Sequence, residues 1–471
     1  MSEARNELFR RLPQVGEFLE TNAGRDLLRA YPRPLVVEAV RTAMDRLRAE
    51  IGEGLGEQEL DARVSELAEV IAGVLRKSGQ GALRPVINAT GVILQTNFGR
   101  APLSARAVRA IADVASGYCN LEFDLASGAR GKRGSHVERL LLQTLGLDAS
   151  RMSALVVNNC AAATLLALNA MAEDGEVVVS RGELVEIGGG FRVPEILGKS
   201  GARLVEVGTT NRTRLDDYAA ALTPQTKLLL RVHRSNFEIV GFTEEAELSA
   251  LVELGAKAGV PVFVDQGTGC VIAPAPYGLG LQSTLSDAVR RGAALVSASG
   301  DKLLGGPQCG LLVGERSLIE RLRGNPLYRA LRVDKMTIAA LQETLWAYLS
   351  DEAETIPVVR MLSIRADRVE LRCQAVAAAF NSERMVAKVI STESVVGGGT
   401  TPGTTLASFA VALEVRGMSA AELAERLRRL DPPVIGRIQQ DRVLLDLRTV
   451  PEDSDELLIR CVRDCLGTAR A

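Results

Sequence analysis

From about residue 150 the chain alternates short, continuous apolar runs with longer segments of helical period. The runs are Ala154–Val157, Glu176–Ser180, Arg203–Val207, Lys227–Val232, Pro261–Val264, Ala293–Ser297 and Gly310–Val313. Between them lie helical patterns such as Ala161–Met171 and Glu244–Ala258. Strands of unbroken Val and Leu, separated by helices, predict a mainly parallel seven-stranded sheet buried on both faces between helices. In such a sheet the chemistry sits beyond the carboxyl ends of the strands.

The two ends of the chain follow other patterns. In residues 1–80, Val36, Val40, Met44 and Leu47 share one helix face, and Leu60, Val64, Leu67, Ile71 and Val74 share another. Gly52 to Gly56 reads as the turn between them, and Gly79-Gln80-Gly81 as a hinge. The stretches Leu83–Arg100 and Gly117–Gly134 are extended, glycine-punctuated arms; the second carries a basic cluster at Arg130, Lys132 and Arg133. A helical region runs to about Phe380. An α+β pattern follows, with strands Met385–Ile390 and Leu406–Leu413, the loop Gly397–Gly403, and a capping-box helix opened by Ser419 and Glu422. A strand pair, Val434–Ile438 with Val443–Leu447, and a helix over Ser454–Leu466 close the chain. The expected division is a helical N-terminal domain (1–80), a large α/β domain with its arm (81–350), and a linking helix with a small α+β C-terminal domain (351–471).

Composition narrows the function classes. Of 471 residues 46% are apolar, but no apolar run reaches the roughly 18 residues of a membrane span, and the polar start has no signal-peptide core. Seven cysteines, an odd number without a Cys-x-x-Cys, fit thiols in a reducing cytoplasm better than a disulfide frame. Two histidines make a His-rich metal site improbable. A net charge of −2 gives no global pull toward nucleic acid, so any RNA must be met by local arginines and lysines.

The strand ends hold the candidate chemistry. After Val157 comes Asn158-Asn159-Cys160-Ala161, opening a helix whose free N–H groups suit a phosphate, although an ordinary N-capped helix reads the same way. Arg181–Gly190 is a loop flexible enough to approach a ligand. After Val232 comes His233, and after Val264 comes Asp265, placed either to hold a protonated ring nitrogen or to cap a helix. After Ser299 comes Gly300-Asp301-Lys302-Leu-Leu-Gly-Gly, in which aliphatic neighbours would lower the lysine pKa and make the amine a Schiff-base nucleophile. A phosphate cup, an acid and a lysine in that order are what pyridoxal 5'-phosphate (PLP) requires. A dinucleotide fold would instead carry G-x-G-x-x-G after its first strand.

The residues also resemble a known family. Leu83–Arg100, Asn120-Leu-Glu-Phe-Asp124, Ser180–Gly189, Val207–Thr213, Val232–Gly241, Ser299–Gly310, Arg329–Met336 and Pro433–Ile438 are similar, in order, to the bacterial L-seryl-tRNA(Sec) selenium transferases, or selenocysteine synthases. The resemblance implies an α/β fold of the fold-type I PLP-dependent transferases. It implies Lys302 as the cofactor lysine with Asp301 beside it, and Asp265 on the ring nitrogen. Asn159, Cys160, Ala161, His233 and Ser299 would complete the cofactor site. Arg100, Arg329 and Arg332 would stand near the reacting centre, where guanidinium groups suit the anion selenophosphate. The implied reaction turns L-seryl-tRNA(Sec) into L-selenocysteinyl-tRNA(Sec) through an aminoacrylyl-tRNA, in a ring-shaped homodecamer whose N-terminal domain grips the tRNA.

The sequence departs from the family at Cys160 (a third asparagine is usual), Gln95 (usually His) and Gln266-Gly267-Thr268 (usually Leu-Gly-Ser). Two other readings compete. One is a related PLP lyase for a free amino acid or amino-sugar acid, with Arg448 holding its carboxylate, although a solvated arginine at a strand end is the plainer reading of Arg448. The other is a noncatalytic RNA-binding protein on the same fold.

Overall fold

The computed structural model describes residues 3–79, 83–187, 190–280 and 283–467. The chain divides into two compact units, Met1–Pro85 and Val86–Ala471.

The first unit is helical throughout its described residues, with helices Glu3–Arg10, Val15–Glu20, Asn22–Ala30, Arg33–Glu53, Glu57–Ser65 and Leu67–Gly79. Val36, Val40, Met44 and Leu47 are buried on the long central helix, against Leu60, Leu67 and Ile71. Each large side chain so buried stabilises by roughly 1.5–3 kcal/mol. Gly54 ends the central helix at φ +115°, a conformation that needs glycine. The helical stretch from Leu60 to Val74 is two helices, broken at Glu66, and Val64 and Val74 only flank the core. Gly79 ends the last helix; Gln80 and Gly81, the rest of the expected hinge, lie outside the described residues.

The second unit is built on a seven-stranded sheet. Its strands are β1 (Met152–Val157), β2 (Glu176–Ser180), β3 (Arg203–Val207), β4 (Thr226–Val232), β5 (Val262–Gly267), β6 (Leu295–Ser299) and β7 (Gly310–Glu315). In space the order is β1-β7-β6-β5-β4-β2-β3. Every pairing that involves β7 is antiparallel and the others are parallel. All seven apolar runs are strands of this sheet. Alternate residues explain why the inner runs have no polar face, whereas the edge strand β3 exposes charges at Arg203 and Glu206. Val178 and Leu229 pack into the core on one side, while Val177, Val179, Leu228 and Leu230 pack with helix Cys160–Ala172 on the other.

A second sheet, antiparallel, orders β8 (Met385–Val395), β9 (Thr405–Val415), β11 (Arg442–Asp446) and β10 (Arg437–Gln439) as β8-β9-β11-β10. Helices Ala366–Phe380, Ala420–Arg428 and Asp455–Gly467 share its core. Two details differ from the sequence reading. Val434–Ile435 leaves the expected terminal strand pair and takes Ile87–Asn88 as a parallel partner. The first arm is therefore bonded to residues from the far end of the chain. It continues past β8, where Ile93 N–H donates to Val395 O (3.0 Å) and Leu94 N–H to Val396 O (2.7 Å). The tight turn Gln440-Asp441, both at positive φ, joins β10 to β11.

Arg448 is neither a solvated residue nor a ligand anchor. It is only 4% exposed, in a turn over Leu447–Thr449. Its guanidinium donates to the carbonyls of Met361 (2.9 Å), Ile364 (2.7 Å) and Ala407 (2.6 Å). Arg448→Met should strand three buried acceptors and lower stability by about 3–5 kcal/mol, since each unsatisfied group costs about 1–3 kcal/mol. Urea unfolding measures this; an unchanged midpoint would contradict the clamp.

Candidate active site

The strand ends converge on one cavity of about 250 Å³, lined by residues at the end of β5 and by residues that follow β1, β4 and β6. β6 is buried along its whole length and ends in the small residues Ser297, Ala298 and Ser299. Gly300 follows because a Cβ there would stand 2.4 Å from Cys309 Sγ. The chain then turns and presents Lys302, 5% exposed, whose Nζ donates to Gly399 O at 2.8 Å. Burial lowers the pKa of this amine, and the nearby cation of Arg100 lowers it further, against the opposing charges of Asp265 and Asp301.

Asp265, 9% exposed, leaves β5 into the same cavity and caps no helix. Burial raises its pKa; Ser297, Lys302, Thr164 and Cys160 act the other way. Ser297 Oγ donates to Oδ1 (2.8 Å), Thr164 Oγ1 to Oδ2 (3.2 Å), and Cys160 Sγ to Oδ1 (3.6 Å). Burial pushes the Cys160 thiol well up, so it stays protonated and serves as a weak donor. Its side chain is thus turned to the carboxylate rather than standing in for a phosphate-binding amide. Asn159 caps its own helix, accepting from Ala162 N–H at 2.8 Å, and with Cys160 and Ala161 it lines the cavity at the helix start. Gly310 permits this packing, because a Cβ there would lie 2.1 Å from Asn159 O.

His233 lines the cavity from the end of β4. Burial lowers its pKa, so the neutral ring donates Nε2–H to Thr400 O at 3.0 Å. Arg100 and Asp301 meet at 2.8 Å on the cavity wall. Arg100 holds φ at +64°, a conformation that costs a non-glycine residue about 1 kcal/mol or more and that clusters at functional sites. Ser299 also lines the cavity.

Two expected site residues stand elsewhere. Arg329 is exposed near the end of the short helix Pro326–Leu331, and Arg332 follows that helix in extended backbone, so the two do not share a helix face. Arg332 pairs with Glu122 (3.3 Å), which also takes Arg133 (2.8 Å) and Arg130 (3.0 Å). One carboxylate thus serves three guanidiniums, and neither Arg329 nor Arg332 lines the Lys302 cavity. Of the departures, Gln95 accepts from Asn97 N–H in a 3₁₀ turn, and Gln266 braces its own loop through Gly269 N–H and Ser283 O. Ile187 of the Arg181–Gly190 loop reaches the cavity; Gly188 and Gly189 lie outside the described residues. An adjoining cavity of about 440 Å³ shares Val232 and His233, but its Arg231 is committed to Glu183 and Glu245 and its Arg234 to Glu245.

Some residues of the site were not singled out by the sequence. Thr164 and Ser297, which meet Asp265, are small polar residues without a motif, and Gly399, which meets Lys302, belongs to a loop of the second sheet. Gly399 holds φ at +82°, and a Cβ there would come within 2.9 Å of Lys302 Nζ. Gly399→Ala should leave the fold intact but slow capture of PLP by the apoprotein about tenfold, the effect of about 1.4 kcal/mol of added barrier. Recovery of visible absorbance after adding PLP measures this, and wild-type rates would contradict the close approach.

These residues fit PLP: a buried amine, a buried carboxylate held by three donors, and a helix start share one enclosure. The hydroxyl of Ser235 in the same cavity wall has no partner among the described residues. With the sheet, they define a fold-type I, PLP-dependent enzyme.

The family model described as L-seryl-tRNA selenium transferase matches residues 86–451, and one described as selenocysteine synthase N terminal matches residues 9–48. The chain is 45% identical over 465 residues to the L-seryl-tRNA(Sec) selenium transferase of Geobacter sulfurreducens, covering 97% of this chain and 99% of the relative. It is 46% identical over 452 residues to that of Geobacter metallireducens, covering 95% and 96%. Among solved structures, D-glucosaminate-6-phosphate ammonia-lyase shares the fold, with a TM-score of 0.56 at 20% identity over 84% of this chain and 98% of that one. The chain belongs to the L-seryl-tRNA selenium transferase family.

Proposed function

We propose that this chain converts L-seryl-tRNA(Sec) to L-selenocysteinyl-tRNA(Sec), with PLP held at Lys302 and Asp265 and selenophosphate as selenium donor. The observation that carries this reading is the enclosure of Lys302 and Asp265 in one cavity of a chain that matches the family over residues 86–451. When bound, PLP supplies an electron sink that makes the Cα proton of the seryl group removable and its β-hydroxyl a leaving group.

The chain's own groups supply the rest. Lys302, its pKa lowered by burial, is neutral enough to take the Cα proton at Nζ and to return a proton to the departing hydroxyl. Asp265 sets its charge against the ring nitrogen, with Ser297, Thr164 and Cys160 fixing its direction. The helix start at Asn159, Cys160 and Ala161 would hold the cofactor phosphate, and Ser299 and neutral His233 would complete the wall around the cofactor. Arg100, held by Asp301 beside the lysine, offers a cation to the phosphate oxygens of selenophosphate.

The N-terminal unit is assigned to the tRNA. Its match to the selenocysteine synthase N-terminal family supports this, and Arg25, Arg33 and Arg41 are exposed there without an ion-pair partner among the described residues. Arg329 and Arg332 join the reaction through assembly, in a ring-shaped homodecamer of five dimers. The exposed apolar side chains Tyr118, Phe123 and Leu125 on the second arm support burial against another subunit. Light scattering that gave the mass of one or two chains would contradict the ring. Seven free thiols suit the reducing cytoplasm, where we place the reaction; among the described residues no helix is long and apolar enough to cross a membrane. The free-amino-acid reading loses its carboxylate anchor, since both terminal nitrogens of the buried Arg448 guanidinium are held by backbone carbonyls.

Equilibrium binding tests the assignment to tRNA. The full chain should prefer seryl-tRNA(Sec) over bulk seryl-tRNA by at least about tenfold, about 1.4 kcal/mol. The fragment 86–471 should lose the preference while still binding PLP. Equal discrimination by that fragment would remove the N-terminal unit from the reading.

A further inference from the structure

We propose that Ser235 is the residue that meets the phenolic hydroxyl of the PLP ring. This rests on the reading that PLP binds between Lys302 and Asp265. Ser235 is 3% exposed, its hydroxyl has no hydrogen-bond partner among the described residues, and it lines the Lys302 cavity. A buried hydroxyl left unpaired costs about 1–3 kcal/mol, so a partner supplied by a ligand accounts for it.

The order of strands identifies that partner. In PLP the carbon that reacts with the lysine stands opposite the ring nitrogen. It is flanked on one side by the carbon bearing the phosphate arm and on the other by the carbon bearing the hydroxyl. Asp265, near the end of β5, fixes the nitrogen end; Lys302, after β6, fixes the opposite end. The phosphate cup follows β1, which lies beyond β6 and β7 on one side of β5. Ser235 follows β4, the neighbour of β5 on the other side, where Val232 is in register with Asp265. With the phosphate arm on the β1 side, the hydroxyl edge must face β4. Two residues after β4 line the cavity: His233, whose Nε2–H is already given to Thr400 O, and Ser235, whose Oγ is unclaimed.

A donor at this hydroxyl favours its deprotonated form, so removing the donor should raise the pH at which the bound cofactor changes colour. The charged and titratable groups facing the cavity (Lys302, Asp265, Asp301, Arg100, His233 and Cys160) are the same in the variant, as is the flanking Arg234.

The test uses full-length holoenzyme with PLP itself: wild type, Ser235→Ala and Ser235→Thr, each checked for an unchanged melting temperature. Ser235→Ala should move the midpoint of the visible absorbance titration upward by at least about half a pH unit and weaken PLP retention about tenfold, the effect expected for a hydrogen bond to a charged oxygen. Ser235→Thr, which keeps the hydroxyl, should restore both. An unchanged midpoint and retention in Ser235→Ala overturns the inference while leaving the cofactor site in place. So does a raised KM for seryl-tRNA with an unchanged spectrum, which would give Ser235 to the substrate. If wild type takes up no PLP at Lys302, the cofactor reading falls and the inference with it.

Discussion

Lys302→Ala is expected to yield a folded protein that retains no PLP on gel filtration, shows no visible absorbance, and has lost turnover by at least about 10³-fold. Loss of a positioned base alone costs about 10²–10⁴-fold, and here the same nitrogen also carries the cofactor. The expectation follows from burial rather than from residue type. Lys302 is 5% exposed, its amine donates to a neutral acceptor, the Gly399 carbonyl, and its pKa is lowered by desolvation. Lys302→Arg should fail equally, because a guanidinium stays charged and cannot act as a nucleophile. Borohydride reduction followed by peptide mass spectrometry would locate the cofactor. Turnover within tenfold of wild type in Lys302→Ala would remove the lysine from the chemistry.

Asp265→Ala should behave differently. The carboxylate lies in a site where burial raises its pKa, yet Ser297, Thr164 and Cys160 all donate to it. Three donors on one buried carboxylate favour an ionised acid of fixed direction. The variant should still attach PLP at Lys302 and still be coloured. Its turnover should fall by about 10²–10³-fold, or about 2.7–4 kcal/mol, because the ring nitrogen loses its counter-charge. Single-turnover kinetics on the coloured protein separates this from failed loading. A rate within twofold of wild type would contradict the role.

The fold was legible because the inner strands of the central sheet are buried on both faces, so most of them read as apolar runs needing no partner to interpret them; the edge strand β3, with Arg203 and Glu206 exposed, is the exception. Lys302 and Asp265 were legible because each ends such a run where the sheet opens. What surrounds them depends on contacts distant in sequence. Gly399 meets Lys302 from 97 residues away, and Thr164 and Ser297 reach Asp265 from separate elements, with no local pattern to announce it. Cys160 looked like a weakened phosphate ligand; its thiol instead faces Asp265. Arg448 looked solvated because it ends a strand, yet three carbonyls from two other segments enclose it. Arg329 and Arg332 were named from the resemblance; the helix that carries Arg329 stops at Leu331, and neither side chain lines the Lys302 cavity.

The most direct test is selenophosphate-dependent conversion by the purified, PLP-loaded full-length chain, with seryl-tRNA(Sec) as acceptor and Lys302→Ala protein as the blank. The account predicts selenocysteinyl-tRNA(Sec) in the presence of selenophosphate, none without it, and none from the blank. Conversion of free serine, or no selenium transfer by a fully loaded enzyme, would contradict it.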